Sequence, residues 1–251
     1  AGAIPLSTTL DTVCAITRSV RDAVLLHEVL AARAVTLDPR PLSAWRLALP
    51  STLMLDALEP TVAAAFERSV ATLRCAGAQI VDLDLPLLSD VHGLHRGGGL
   101  SAAESWAWHR PRLATREAQY DPRVALRIRR GEALSAADYI DLLNERQRVI
   151  AATETALAGF DALLSPTVPI VAPRIQALID SDEAFFAANA LLLRNPSLVN
   201  LLDACALSLP CHCEGDWPVG LMVWAPALAD DRVLAISSAI ERALRVARGG
   251  A

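Results

Sequence analysis

The stretch PTVAAAFERSVATLRCAGAQIVDLDL, residues 60–85, decides the fold class. It opens with a proline, which suits the first turn of a helix, and Gly77 stands where that helix would end. Between the two, apolar side chains recur at helical spacing: Val62, Phe66, Val70 and Leu73. Residues 78–85 then alternate between apolar and polar side chains, as a strand with one buried face does. The stretch therefore predicts a helix followed by a strand.

A strand is also predicted immediately upstream, over residues 45–50, so this region reads strand–helix–strand. Further elements alternate along the chain. Helices are predicted at 101–113, 135–159, 181–193 and 195–203 and from Asp230 onward, with strands at 161–165, 206–211 and 219–224. This interleaving predicts an α/β fold with a mixed β-sheet core flanked by helices. The length suits a single domain over residues 1–251.

The composition excludes several classes of protein. The chain is 53% hydrophobic and 20% charged, which excludes a disordered protein. Its net charge of −5 and its lack of a basic cluster argue against nucleic acid as a partner. The longest uncharged apolar stretches, residues 162–173 and 218–229, are shorter than the roughly 18 residues of a membrane span. The five cysteines are an odd, sparse set, typical of reduced thiols in a cytoplasmic protein.

The basic residues are unusual, because all 23 of them are arginine. A GC-rich coding bias is the simplest cause. Whatever the cause, no mechanism that requires a lysine amine can be completed by this chain alone.

The short motifs do not indicate chemistry of their own. Cys211-His212-Cys213 resembles a set of metal ligands, but zinc sites need four ligands and usually space their thiolates by two to four residues. Gly99-Leu-Ser101 lacks the second glycine of a nucleophile elbow. The glycines at 97–99 lack the lysine and the spacing of a phosphate-binding loop. None of these motifs therefore predicts a metal, a cofactor or a catalytic residue.

Trp106, His109 and Arg110 lie within about one turn of a predicted helix and share a face. Amphipathic aromatic side chains at such positions often line a pocket. The alternative is a helix that packs its indole rings into the core.

An ordered set of motifs resembles enzymes of the amidase signature family. GAIPLSTTLDTV (2–13) and RSVRDA (18–23) are similar to the family patterns G-x-x-P-L-S-x-S-L-D-T-V-G and A-R-S-V-x-D-A. Similar segments follow in the family's order: YDPRV at 120–124, DALLSPTVP at 161–169, NLL at 200–202, LSLPC at 207–211 and PVGL at 218–221. Two positions depart from the pattern, since Cys14 replaces a glycine and Met222 replaces a glutamine.

The resemblance implies the C-terminal half of an amidase-signature-type fold. In the family, a serine nucleophile, a second serine in a cis peptide and a lysine lie upstream of the pattern that residues 2–13 match. The resemblance therefore implies an incomplete domain that is inactive alone. With the upstream segment, the expected reaction is hydrolysis of a linear amide to a carboxylate and ammonia or an amine, through an acyl-serine. For the substrate-binding wall that this chain would contribute, we name Trp106, His109, Tyr120 and Thr167.

The implied partners are a small-molecule amide and the N-terminal portion of the same enzyme, and a homodimer also stays open. Two alternatives remain: a non-catalytic binding or scaffolding subunit with an amidase-like fold, and an amidotransferase A-type subunit. Amidotransferase A-type subunits bind glutamine as a substrate. Arg194 lies where we would expect a carboxylate to hold the glutamine amine, so a stand-alone amidase is favoured.

Overall fold

The computed structural model describes residues 2–247, apart from the side chain of residue 92. These residues form two compact units. The smaller unit contains residues 2–13 and 87–155, and the larger contains residues 14–86 and 156–247. No helix within the described range is long and apolar enough to cross a membrane.

The larger unit is built on a sheet of five strands in the order β2-β1-β3-β5-β4. The strands are β1 Arg46–Pro50, β2 Gln79–Leu83, β3 Ala162–Pro166, β4 Cys205–Pro210 and β5 Gly220–Ala225. β1 is parallel to both β2 and β3, whereas β5 is antiparallel to both of its neighbours, β3 and β4. The predicted mixed sheet is thus confirmed.

Helices cover this sheet. Those with all their residues in the larger unit are α1 Val20–Ala31, α2 Pro60–Cys75, α6 Ile175–Asp180, α7 Asp182–Leu201 and α8 Asp230–Ala247. α2 and α8 pack their apolar faces against one face of the sheet, and the buried core there includes Leu47, Phe66, Leu164, Val223 and Ile236. Each fully buried side chain of this kind contributes about 1.5–3 kcal/mol, so this face is the main source of stability.

The strand–helix–strand prediction for residues 45–85 is confirmed almost to the residue. α2 begins at Pro60, and Gly77 follows its end with φ +91°. This conformation is strained for a residue with a side chain, which explains the glycine. β2 then pairs with β1 in parallel. The apolar stripe of α2 is buried as predicted. The buried face expected for β2 is not seen, since Val81 is exposed and Ile80 and Leu83 are half-buried, because β2 lies at the edge of the sheet.

The smaller unit is helical. It contains α3 Gly99–Arg116 and α4 Pro122–Arg129, and most of α5 Ala136–Ala156. α3 and α4 meet through Leu113, Ala125 and Ile128. Gly131 follows α4, and a side chain there would put a carbon 2.0 Å from the carbonyl oxygen of Ala102 on α3. A glycine is therefore required for this close approach.

One predicted boundary is wrong. The sequence predicts two helices, over residues 181–193 and 195–203. The structure has one helix, α7, with Pro196 inside it. The helix continues because tertiary contacts hold this point. The adjacent Asn195 side chain is fully buried and bonded to two backbone carbonyls from other parts of the unit.

Candidate functional site

Three of the four predicted substrate-binding residues lie together in the smaller unit. His109 is buried on α3, and its Nδ1 atom lies 2.8 Å from the Tyr120 hydroxyl. The His109 ring also meets Trp108 edge-on, with a centroid separation of 4.4 Å. The hydrogen bond fixes the orientation of the imidazole, which is the property a polar ligand contact requires.

Trp106 and Tyr120 both pack against the apolar cluster of Leu113, Ala125 and Ile128. Trp106 is half-buried, so its indole serves partly as a core contact, in line with the alternative interpretation of this helix face. Arg110, which the sequence places on the same face, is exposed. The group that the structure brings together is therefore Trp106, His109 and Tyr120, and their binding of a substrate stays a prediction.

Thr167, the fourth predicted residue, lies in the larger unit directly after β3. Its Oγ1 atom is 2.6 Å from the Oγ atom of Ser208 on β4, and its backbone N–H donates to the Gly220 carbonyl at 2.8 Å. A β-carbon at position 220 would lie 2.5 Å from both hydroxyl oxygens. Only glycine leaves room for this hydroxyl pair, which can donate to or accept from a ligand.

The hydroxyl pair lies where ligands commonly bind in open α/β sheets. β1, β3 and β4 point in the same direction, and Thr167 and Ser208 lie at or near the carboxyl ends of β3 and β4. The chain leaves β1 toward β2 on one side, while β3 lies on the other side of β1. Ligands of open α/β sheets bind outside the carboxyl ends of strands at such a reversal. Thr167 lies at such a position, and its binding of a substrate stays a prediction.

A polar cluster that the sequence did not predict lies at the same carboxyl end of β3. The Asn195 Nδ2 atom donates to the carbonyls of Met54, at 3.0 Å, and Pro166, at 2.8 Å. Arg194 donates from Nε to the Asn195 Oδ1 at 3.0 Å and from Nη1 to the Asp56 carbonyl at 2.7 Å. The pair joins the loop after β1 to the end of β3, next to Thr167. Burial lowers the pKa of the Arg194 guanidinium.

The sequence marks Arg194 only as the residue in place of an expected carboxylate. Only one local feature distinguishes Asn195. An asparagine directly before a proline within an apolar helical pattern is the one signal that could have found it, because such a residue needs a tertiary reason to be buried.

The three residues of the cysteine–histidine motif at 211–213 differ in their burial. Cys211 is buried, His212 is half-buried with Nδ1 accepting from the Val219 N–H at 3.3 Å, and Cys213 is exposed. Among the side chains of residues 2–91 and 93–247, no three from His, Cys, Asp or Glu gather as metal ligands would.

Comparison with known proteins shows the family. The sequence profile of the family described as Amidase matches residues 1–234. The chain is 34% identical over 244 residues to 2-amino-5-chloromuconic acid deaminase from Comamonas testosteroni, covering 96% of this chain and 53% of that protein. It is 30% identical over 282 residues to the A-type chain of glutamyl-tRNA(Gln) amidotransferase from Salinispora tropica, covering 96% of this chain and 57% of that protein.

A crystal structure of an amidase superposes with a TM-score of 0.80 at 29% identity, covering 96% of this chain and 55% of the amidase. The chain thus spans about half the length of the curated relatives it matches. Fold and sequence agree over nearly all of the chain, and on this evidence the chain belongs to the amidase family.

Proposed function

We propose that this chain is the C-terminal portion of an amidohydrolase that converts linear amides to a carboxylate and ammonia or an amine. The observation that carries the proposal is the family match over residues 1–234. The ordered motifs and the amidase-like fold support it. The chain contains no lysine, so the proposal places the catalytic serines and lysine in a segment outside residues 1–251.

The proposed chemistry has two steps. The nucleophilic serine oxygen attacks the amide carbonyl while the lysine, relayed through the second serine, takes the serine proton. The tetrahedral intermediate then expels the amine, which receives that proton, and leaves an acyl-serine. Water next attacks the ester carbonyl while the lysine, again through the second serine, takes a proton from it. The ester C–O bond then breaks, the nucleophilic serine oxygen leaves and recovers that proton, and the carboxylate is released. Backbone N–H groups of the glycine-rich segment stabilise the oxyanion in both steps.

In this proposal the chain supplies substrate-binding side chains and scaffold. Trp106, His109 and Tyr120 provide an aromatic surface with one oriented imidazole. Thr167 provides a hydroxyl just after the carboxyl end of β3. Both units belong to one incomplete domain over residues 1–251. Activity of this domain requires the N-terminal portion of the enzyme. Formation of a homodimer is compatible with the proposal. Five free cysteines support a cytoplasmic location.

The test joins or combines this chain with the segment encoded upstream and measures ammonia released from simple amides. The combined protein should hydrolyse them, and residues 1–251 alone should not. An upstream sequence without a lysine and a glycine- and serine-rich segment would refute the proposal. Activity only with glutamine and a charged tRNA would instead identify an amidotransferase component. Cooperative folding of the chain as a monomer, with no activity in the combined protein, would identify a scaffold.

A further inference from the structure

Residues 6–11 form a tight turn in the smaller unit, and hydrogen bonds between its own side-chain and backbone groups close this turn. The Asp11 carboxylate accepts from the backbone N–H groups of Leu6, at 2.9 Å, and Ser7, at 3.0 Å. The Ser7 carbonyl accepts in return from the Asp11 N–H at 2.8 Å. Short polar side chains that satisfy neighbouring backbone groups preorganise a turn. This 6–11 turn therefore behaves as one unit.

Glu104 on α3 attaches the 6–11 turn to two helices. Its Oε2 atom accepts from the Ser7 hydroxyl at 2.6 Å and from the Thr9 N–H at 2.9 Å. Its Oε1 atom accepts from the Thr9 hydroxyl and, at 2.8 Å, from the Tyr139 hydroxyl on α5. A single carboxylate thus connects the turn, α3 and α5.

The four donors to Glu104 are all uncharged groups. Burial alone would raise the pKa of this carboxyl, but the hydrogen bonds from Ser7, Thr9 and Tyr139 outweigh it and hold the pKa below its ordinary value. Glu104 is therefore ionised at neutral pH and accepts from every donor. Hydrogen bonds to an ionised acceptor are stronger than those between neutral groups.

We propose that Glu104 is a positioning residue for the hydrolysis, acting through the 6–11 turn. This inference rests on the proposed function and on the order of motifs in the family, in which the serine- and lysine-bearing segment lies upstream of the pattern that residues 2–13 match. Anchoring the turn fixes where that segment meets the smaller unit. A displacement of about 1 Å at a reacting group can cost roughly 10²-fold in rate. Glu104 itself touches no reacting atom.

The test uses the active protein that combines this chain with its serine- and lysine-bearing segment. Glu104→Ala and Glu104→Gln are compared with Glu154→Ala, which removes an exposed carboxylate from α5 of the same unit. In Glu104→Ala, kcat for amide hydrolysis should fall roughly 10- to 100-fold while KM stays within about twofold. Glu104→Gln should recover part of kcat, because an amide oxygen can still accept from the Thr9 N–H.

Hydrogen exchange measures the anchor itself. In Glu104→Ala, the Thr9 amide should exchange at least about tenfold faster than in wild type, and in Glu154→Ala it should not. Faster exchange with unchanged kcat would overturn the proposal, as would equal losses of kcat in Glu104→Ala and Glu154→Ala. Should Glu104→Ala fail to fold, Glu104→Gln and Tyr139→Phe carry the same comparison.

The outcomes separate the two proposals. A combined wild-type protein that hydrolyses no amide refutes the proposed function, and this inference fails with it. An active wild type whose Glu104 variants keep their kcat refutes only the positioning role.

Discussion

Replacing Asn195 with alanine should destabilise the larger unit strongly, although the residue lies on a helix and is not among the predicted substrate-binding residues. Asn195 is fully buried, and its side chain donates to the carbonyls of Met54 and Pro166 and accepts from Arg194. Three hydrogen bonds at about 1 kcal/mol each give a loss of about 3 kcal/mol. The higher helix propensity of alanine returns about 0.5 kcal/mol, so the expected net loss is about 2.5 kcal/mol.

Urea unfolding followed by tryptophan fluorescence measures this loss. Trp45 and Trp224 are buried in the same unit, at 1% and 0% exposure, and report its unfolding. The urea midpoint should fall with an unchanged m-value, which indicates lost stability without a change in the denatured state. Asn144→Ala is the matched control, since Asn144 is an exposed helical asparagine on α5. It should change the free energy of unfolding by less than about 0.7 kcal/mol.

Asn195→Asp sharpens the test, because it keeps the size of the side chain and replaces the donating amide by a second oxygen. That oxygen would face two carbonyl oxygens, so at pH 7 the loss should equal or exceed that of Asn195→Ala. A loss below about 1 kcal/mol in both variants would refute the reasoning that these hydrogen bonds stabilise the junction between the loop after β1 and the end of β3.

Three further outcomes are expected. Gly220→Ala should lower the free energy of unfolding by about 1–3 kcal/mol, because its methyl would overlap two hydroxyl oxygens, whereas Gly93→Ala, which meets open space, should be nearly neutral by thermal melting. The carboxyl pKa of Glu104 is lowered, so its contribution is complete above the ordinary value of 4.5 and is lost as pH falls through the folded pKa. The Tm difference between wild type and Glu104→Gln should therefore shrink in acid, and a constant difference would contradict this. Burial raises the pKa of Cys205 to about 11 and Cys211 is buried, so a thiol reagent at pH 8 should modify three cysteines in the folded protein and five in urea; the three exposed thiols are Cys14, Cys75 and Cys213.

Much of the fold could be predicted because local and tertiary preferences agree. The apolar stripe of α2 faces the sheet, and the polar side chains of β2 lie on an exposed edge. The prediction failed at Pro196, where a helix breaker lies inside a continuous helix. Local propensity favours a break there, but the buried hydrogen bonds of Asn195 join segments far apart in sequence, and no local pattern reports them.

The candidate site divides in the same way. Trp106, His109 and Tyr120 are predicted because two of them share a helix face and the third lies in a family-like motif. The structure brings them together, and their binding of a substrate stays a prediction. Glu104 was not found, because an acidic residue on a helix usually faces water. Its hydrogen-bond partners Ser7 and Thr9 lie 97 and 95 residues away in the chain, so no local pattern indicates these bonds.

The sequence by itself determined the α/β class, the family, the strand order and most of the helices, because these follow from periodicity, caps and ordered motifs. Only the tertiary structure decided which polar side chains share a partner. Hydrogen bonds such as those of Glu104, Asn195 and the Thr167–Ser208 pair act over about 3 Å between residues distant in sequence, and chain folding alone sets that distance.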